Sequence, residues 1–309
     1  MRKIFKRILD TIHISYRHFI SKKNNPNPPV DSSESIFLAY GEKARNQGFD
    51  QLNILLSFDC DTPEDIPAAE ALFLQLSHLG IQSIFAVPGA QLQAGETTFR
   101  RMADHGAIFI NHGARPHAEW RDGRYHSITF YKDMTLQEVR EDIIQGDAIL
   151  KKTIGKFSKG FRAPHFGSFQ SPDQRQLIYQ TLKELGYLYS SSTLPVLAYA
   201  NSPVIKVDTN LYEIPLSGSF AFPEAILDSW NYVQDYYNPK IKMEYADLFI
   251  GTVENLLSLD VVGVLNYYID PFHVYQTEAF DKVIDFIVTK KLRTIVFDDL
   301  IGDIEGFKK

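Results

Sequence analysis

Leu52-Asn53-Ile54-Leu55-Leu56-Ser57-Phe58-Asp59-Cys60-Asp61-Thr62 is the stretch on which the fold turns. Its first seven residues are almost continuously apolar, as expected of a parallel strand covered on both faces. Two acids then close the run. Working outward, residues 66–79 have helical spacing and stop at Gly80, and 83–87 reads as a second strand. Residues 97–105 read as a helix and 107–110 as a third strand. Helices are predicted over 136–154, closed by Gly155, and over 172–185, stopped by Gly186. Further strands fall near 204–207, 212–215, 261–269 and 293–297, with helices near 244–259 and 277–290. This alternation predicts an α/β domain with parallel strands. In such folds sites gather at the C-terminal ends of the strands. No internal repeat is present.

The segment before this pattern differs. Residues 1–23 carry Arg2, Lys3, Lys6, Arg7, Arg17, Lys22 and Lys23 against one acid, Asp10. Ile4, Ile8, Ile12 and Phe19 recur at roughly helical spacing, which predicts a basic amphipathic helix. Such a helix can lie on an anionic lipid surface, or simply pack on the domain. Asn24-Asn25-Pro26-Asn27-Pro28-Pro29 cannot propagate a helix or a ladder, so 24–34 reads as a linker. The division is therefore 1–34, helix and linker, and 35–309, the catalytic domain.

Composition bounds the chemistry. Of 309 residues, 44% are apolar and 23% charged, enough for a sizeable core. A net charge of -6 argues against a nucleic-acid partner, which calls for a basic surface. The single cysteine, Cys60, excludes an intrachain disulfide and a Cys-rich zinc site. No apolar run is long enough to span a bilayer, and no signal-like h-region follows the basic start. The expectation is a cytoplasmic protein, at the inner face of the membrane if residues 1–23 bind lipid.

Four segments carry chemistry. Asp59 and Asp61, at i and i+2, share one face if the strand reaches them. Crowded carboxylates repel, which favours a cation between them or a proton on one. Asn111-His112-Gly113-Ala114-Arg115-Pro116-His117 follows the third strand and supplies two imidazoles, common metal ligands. Two His and one Asp leave an open position on zinc, the mark of a catalytic site. His126 is a reserve candidate in the same loop, while His78 and His105 read as inert surface residues. Gly160-Phe161-Arg162-Ala163-Pro164-His165-Phe166-Gly167 offers an arginine able to hold a carboxylate, and a stiff loop able to aim an N–H. Asn266-Tyr267-Tyr268-Ile269-Asp270-Pro271-Phe272-His273 again puts an acid and a histidine at a strand end.

In this order the four segments resemble the polysaccharide deacetylase superfamily, carbohydrate esterase family four, of the NodB-homology type. The resemblance covers roughly residues 52–300. It implies a distorted (β/α) barrel of about seven parallel strands and a metal-dependent N-deacetylase acting on an amino sugar. By the same resemblance Asp59 matches the general base, and Asp61, His112 and His117 match the ligands of one divalent ion, expected to be zinc. Arg162 matches the residue that orients the base, and the His165 backbone N–H the oxyanion donor. His273 is the candidate acid. Two departures stand out. The family spaces its histidines four apart, whereas here Pro116 holds that position and His117 is at +5, leaving His126 as the alternative ligand. Many relatives have His-Pro where this chain has Asp270-Pro271, so the acid is Asp270 or His273.

The leading expectation is an N-acetylated amino sugar in a polysaccharide or a lipid-linked glycan as substrate. The Asp-x-Asp form of the first motif also fits a cyclic or small-molecule amidase, and the two departures fit a non-catalytic sugar-binding protein. Trp120, Tyr125, Trp230, Tyr236 and Tyr237 lie in expected loops, where they can stack on sugar or pack against the barrel mouth. Residues 216–243 read as an irregular excursion.

Overall fold

The computed structural model describes residues 30–307 apart from 156, 158 and 236. The amphipathic segment 1–23 and most of the linker lie outside the described residues, as does Tyr236. Residues 30–34, read as linker, belong instead to a helix, α1 (Val30–Asn46). No Pro or Gly interrupts them, so the helix starts as soon as the proline run ends.

The barrel is built from β1 (Leu52–Asp59), β2 (Ile84–Val87), β3 (Ile108–Asn111), β6 (Gly160–Phe161), β7 (Tyr189–Ser190), β9 (Leu211–Glu213) and β10 (Gly263–Ile269). They form one parallel path in the order β10-β1-β2-β3-β6-β7-β9. Seven is the number the resemblance implied, but β6 and β7 were not predicted, and the predicted strands at 204–207 and 293–297 lie off this path. β8 (Ile205–Asp208) adds on antiparallel to β9, and β11 (Arg293–Thr294) lies beside the start of β1. The predicted strand at 293–297 is thus cut short, because α11 (Phe297–Phe307) begins there and its apolar face enters the barrel. A hairpin of β4 (Ala118–Arg121) and β5 (Arg124–Ser127) leaves the barrel after β3.

Among the described residues no strand ladder closes the path between β9 and β10. Residues 214–217 do so through the Asn266 side chain, whose Nδ2 donates to the Ile214 and Pro215 carbonyls. The Ser217 N–H donates to the Asn266 carbonyl, and the Asn266 N–H to Ser217 Oγ. A side-chain amide replaces ladder bonds there, which is the local form of the distortion.

Helices α2 (Asp65–His78), α3 (Gly89–Ala94), α4 (Glu96–Asp104), α5 (Leu136–Ile154), α6 (Pro172–Glu184), α8 (Met243–Ser258) and α10 (Glu278–Lys290) surround the barrel, with short α7 (Pro195–Ala200) and α9 (Pro271–Val274). The period-two alternation of β1 shows how the sheet is covered. Ile54, Leu56 and Phe58 point outward into the core under α2, α8 and α10. Leu55 points inward, packing with Ile84, Ile110, Val264 and Phe297. Further along the same inner row stand Ser57 and Asp59, both buried. The interior is therefore apolar at the end plugged by α11 and polar at the C-terminal end of the strands.

Candidate active site and metal centre

Asp59 ends β1 and Asp61 follows it, so their carboxylates meet above the polar end of the barrel. His112 Nε2 lies 3.6 Å from Asp59 Oδ2 and 3.5 Å from Asp61 Oδ1. His117 Nδ1 lies 3.0 Å from Asp61 Oδ1. The two imidazoles meet edge to face, with ring centroids 4.4 Å apart. Asp61, His112 and His117 are all buried, and one ligand atom from each lies within 4.8 Å of the others. The imidazoles hold the Asp61 carboxyl well below the usual carboxylate range despite its burial.

The donor set fits a divalent metal. His112 Nδ1 is 2.8 Å from the Arg162 carbonyl, which leaves Nε2 with its lone pair facing the acids. His117 turns Nδ1 to Asp61, and its Nε2 is buried without a hydrogen-bond partner, a cost that ligation of the ring by a metal would offset. Pro116 fills the +4 position, and the loop bends to bring His117 to the acids instead. His126 sits on β5 opposite Glu119, outside this group, although its own Nε2 is also buried and unpaired.

The loop bearing the histidines is clamped from below. Asp142 on α5 accepts from the N–H groups of Ala114 (3.2 Å) and Arg115 (2.9 Å), and from the Tyr131 hydroxyl (2.8 Å). Gly113 adopts φ +79°, and a Cβ there would meet Asp142 Oδ2 at 2.3 Å. From the other side the N–H groups of Gly89 and Ala90 donate to the Gly113 and Ala114 carbonyls.

Arg162, fully buried, organises the interior. Its Nη1 donates to Asp59 Oδ1 (2.8 Å) and to Ser57 Oγ (2.6 Å), and its Nη2 to Ser191 Oγ (3.1 Å). Asn266 Nδ2 also donates to Ser191 Oγ. The guanidinium lies between the rings of Phe166 and Tyr268, 5.8 and 5.7 Å from their centroids. Ser191 lay outside the four segments, and Ser57 and Asn266, quoted within them, were given no role. Their available signal was position: Ser57 on the inward row of β1, and Ser191 just past the short β7.

His165 has a left-handed backbone, φ 49°. Its Nε2 meets the Ile128 carbonyl at 2.7 Å and its ring stacks on Phe130. Burial, with His117 adding to it, lowers its pKa to about 4. On the opposite side Asp270 and His273 share Ser229. The Ser229 hydroxyl donates to Asp270 Oδ2 (2.8 Å) and lies 3.0 Å from His273 Nδ1. Asp270 Oδ1 is buried without a partner. Burial, then the charges of Asp65, Asp61 and Asp59, push the Asp270 carboxyl well up. Burial, then Lys240, lowers His273 to about 3. Asp65, not anticipated, accepts from Thr62 and from the Phe272 N–H, tying the first segment to the last.

Residues 47–189 match the polysaccharide deacetylase family. The matched stretch carries Asp59, Asp61, His112, His117, Arg162 and His165, while Asp270 and His273 lie beyond it. No curated protein matches the chain. Among solved structures, a proposed polysaccharide deacetylase from Mycobacterium smegmatis is similar at TM-score 0.63 and 16% identity, over 84% of this chain and 92% of that one. A variant of the peptidoglycan deacetylase PdaC from Bacillus subtilis aligns at TM-score 0.51 and 16% identity, over 84% and 94%. PuuE allantoinase aligns at TM-score 0.52 and 13% identity, over 82% and 89%. At these identities the likeness is one of fold, and the fold is the (β/α) barrel that the sequence led us to expect.

Proposed function

We propose that this protein is a metal-dependent hydrolase that removes an N-acyl group, foremost acetyl, from an amino sugar. The observation that carries the reading is the buried Asp61-His112-His117 group, one ligand atom of each within 4.8 Å of the others, beside the Arg162–Asp59 pair. Asp61, His112 and His117 would hold the ion, with zinc the best match to one carboxylate and two imidazoles. When bound, a divalent ion supplies Lewis acidity toward the acyl carbonyl and a more acidic water.

The remaining steps belong to the chain. Asp59, held in place by Arg162, takes the proton from the attacking water. The N–H of His165 is assigned to the developing oxyanion. For protonation of the departing amine we assign Asp270, whose raised pKa leaves it a proton to give. His273, first in line from sequence, is neutral and turned to Ser229, so its part is to position Asp270.

The test is metal content together with acetate release from N-acetylated sugars. One ion per chain, lost in Asp61→Ala and His117→Ala but kept in His126→Ala, supports the site, and acetate release supports the reaction. No ion after reconstitution would overturn it in favour of a sugar-binding protein, and turnover of cyclic amides alone in favour of the amidase. That the glycan is lipid-linked, and the protein at the inner membrane face, is a proposal on residues 1–23 only. No helix among the described residues is long and apolar enough to cross a membrane. Deleting residues 1–29 should lower partitioning onto anionic vesicles, and unchanged partitioning sinks that part.

A further inference from the structure

Asp61 lies just past the end of β1, where the ladder gives out. The Cys60 N–H still donates to the Ala86 carbonyl of β2 at 2.9 Å. The carbonyl of Asp61, the next residue, is taken by a side chain instead. Gln91 Nε2 donates to it at 3.1 Å, in a buried bond. Gln91 belongs to α3, the short helix that follows β2, and is itself buried. The two residues before it hold the other half of the metal centre. The N–H groups of Gly89 and Ala90 donate to the Gly113 and Ala114 carbonyls, each at 2.9 Å. The first turn of α3 therefore grips the backbone of the carboxylate ligand and the backbone between the two imidazole ligands. It is wedged there. A Cβ at Gly89 would meet Ile149 Cδ1 at 2.7 Å and Ala114 Cα at 3.1 Å, and the Leu92 side chain is fully buried in the core with Val87 and Phe99.

The Gln91 amide is only half used. A carbonyl only accepts, so Nε2 must face Asp61, and this leaves Oε1 buried without a partner. Replacing Gln91 by an apolar side chain of equal length removes that unpaired oxygen and creates another, the Asp61 carbonyl. The two costs offset, so the amide adds little to folding stability. What it does fix is the backbone of a ligand. Groups that hold ligands from behind change metal affinity by about 10–100-fold when removed, because the ligands must then be gathered as the ion binds.

Resting on the metal-dependent reading, we propose that Gln91 is a positioning residue of the metal centre: its amide, carried on the turn that also holds Gly113 and Ala114, sets the separation of Asp61 from His112 and His117. The probe is zinc alone. Its dissociation constant is measured by chelator competition on metal-free wild type, Gln91→Met and Gln91→Leu, and the same metal-free proteins are unfolded in urea. Kd should rise about tenfold in both variants while the urea midpoint stays at the wild-type value. Zinc affinity equal to wild type, or weakened only together with a lower urea midpoint, overturns the positioning role and leaves the deacetylase reading standing. A wild type that binds no zinc overturns both.

Discussion

Asp59 and Arg162 form the pair on which the proposed chemistry depends, and their roles separate by experiment. Asp59→Asn keeps the shape and removes the base, so kcat should fall by about 10²–10⁴ while bound metal and melting temperature stay close to wild type. Loss of metal in that variant would move Asp59 into the ligand set. Arg162→Leu is a different kind of change. It leaves a carboxylate, Ser57 and Ser191 buried around an apolar side chain, at a cost of about 3–5 kcal/mol measured by urea unfolding. Sequence alone singled out both residues, Asp59 through the crowded Asp-x-Asp pair and Arg162 through its ability to hold a carboxylate, and the resemblance implied their roles. It could not choose between His117 and His126. Both follow β3 in one loop, and only the path of the chain shows that the first returns to Asp61 while the second stands on the hairpin.

The loop between β3 and the hairpin is held by α5 rather than by its own sequence. Asp142→Ala would strand two N–H groups and the Tyr131 hydroxyl, and unfolding free energy should drop by about 3 kcal/mol with weaker metal affinity. Gly113→Ala should weaken metal binding at least as much, since the new methyl group has nowhere to go and φ is positive. Normal metal affinity in both variants would show that the loop is set elsewhere. The capping boxes of α5 and α6 illustrate the contrasting, legible kind of information. Thr135 with Glu138, and Ser171 with Gln174, start these helices through contacts three residues apart. The predicted bounds of α5 accordingly coincide with the observed ones.

At the scale of the whole molecule, His273 contributes stability that is lost in acid. His273 titrates at about 3 when folded, against 6.5 for an ordinary histidine, because burial and Lys240 disfavour its cation. Between those values the unfolded chain binds more protons, so stability rises with pH across the window and is lost as pH falls from 6.5 toward 3. His273→Gln removes this group. Over pH 3.5–6 its unfolding free energy should vary less steeply than wild type, by at most about 1.4 kcal/mol per pH unit. Identical slopes in urea unfolding would show that His273 is not kept neutral by the fold. Asp228, Asp65 and Asp270 work the other way: burial raises their carboxyls, to about 6 and about 7 for the first two, so the folded chain holds protons there that the unfolded chain has released. The comparison of variants is needed because these slopes oppose that of His273.

What the amino-acid order determined by itself is local or periodic: the buried run of β1, the alternation of strands and helices, the helix caps, and the four segments whose acids, histidines and arginine end strands. Each depends on side chains a few residues apart, so propensity and pattern suffice. The tertiary structure decided what depends on distant residues meeting. β6 and β7, two residues each, exist only because β3 and β9 offer them partners. The Asn266 amide closes the barrel because residues 214–217 arrive beside it. The meeting of His117 with Asp61 and the Ser229 bridge between Asp270 and His273 follow from the same cause. These contacts join residues far apart in the chain, and no local pattern encodes where such residues come to rest.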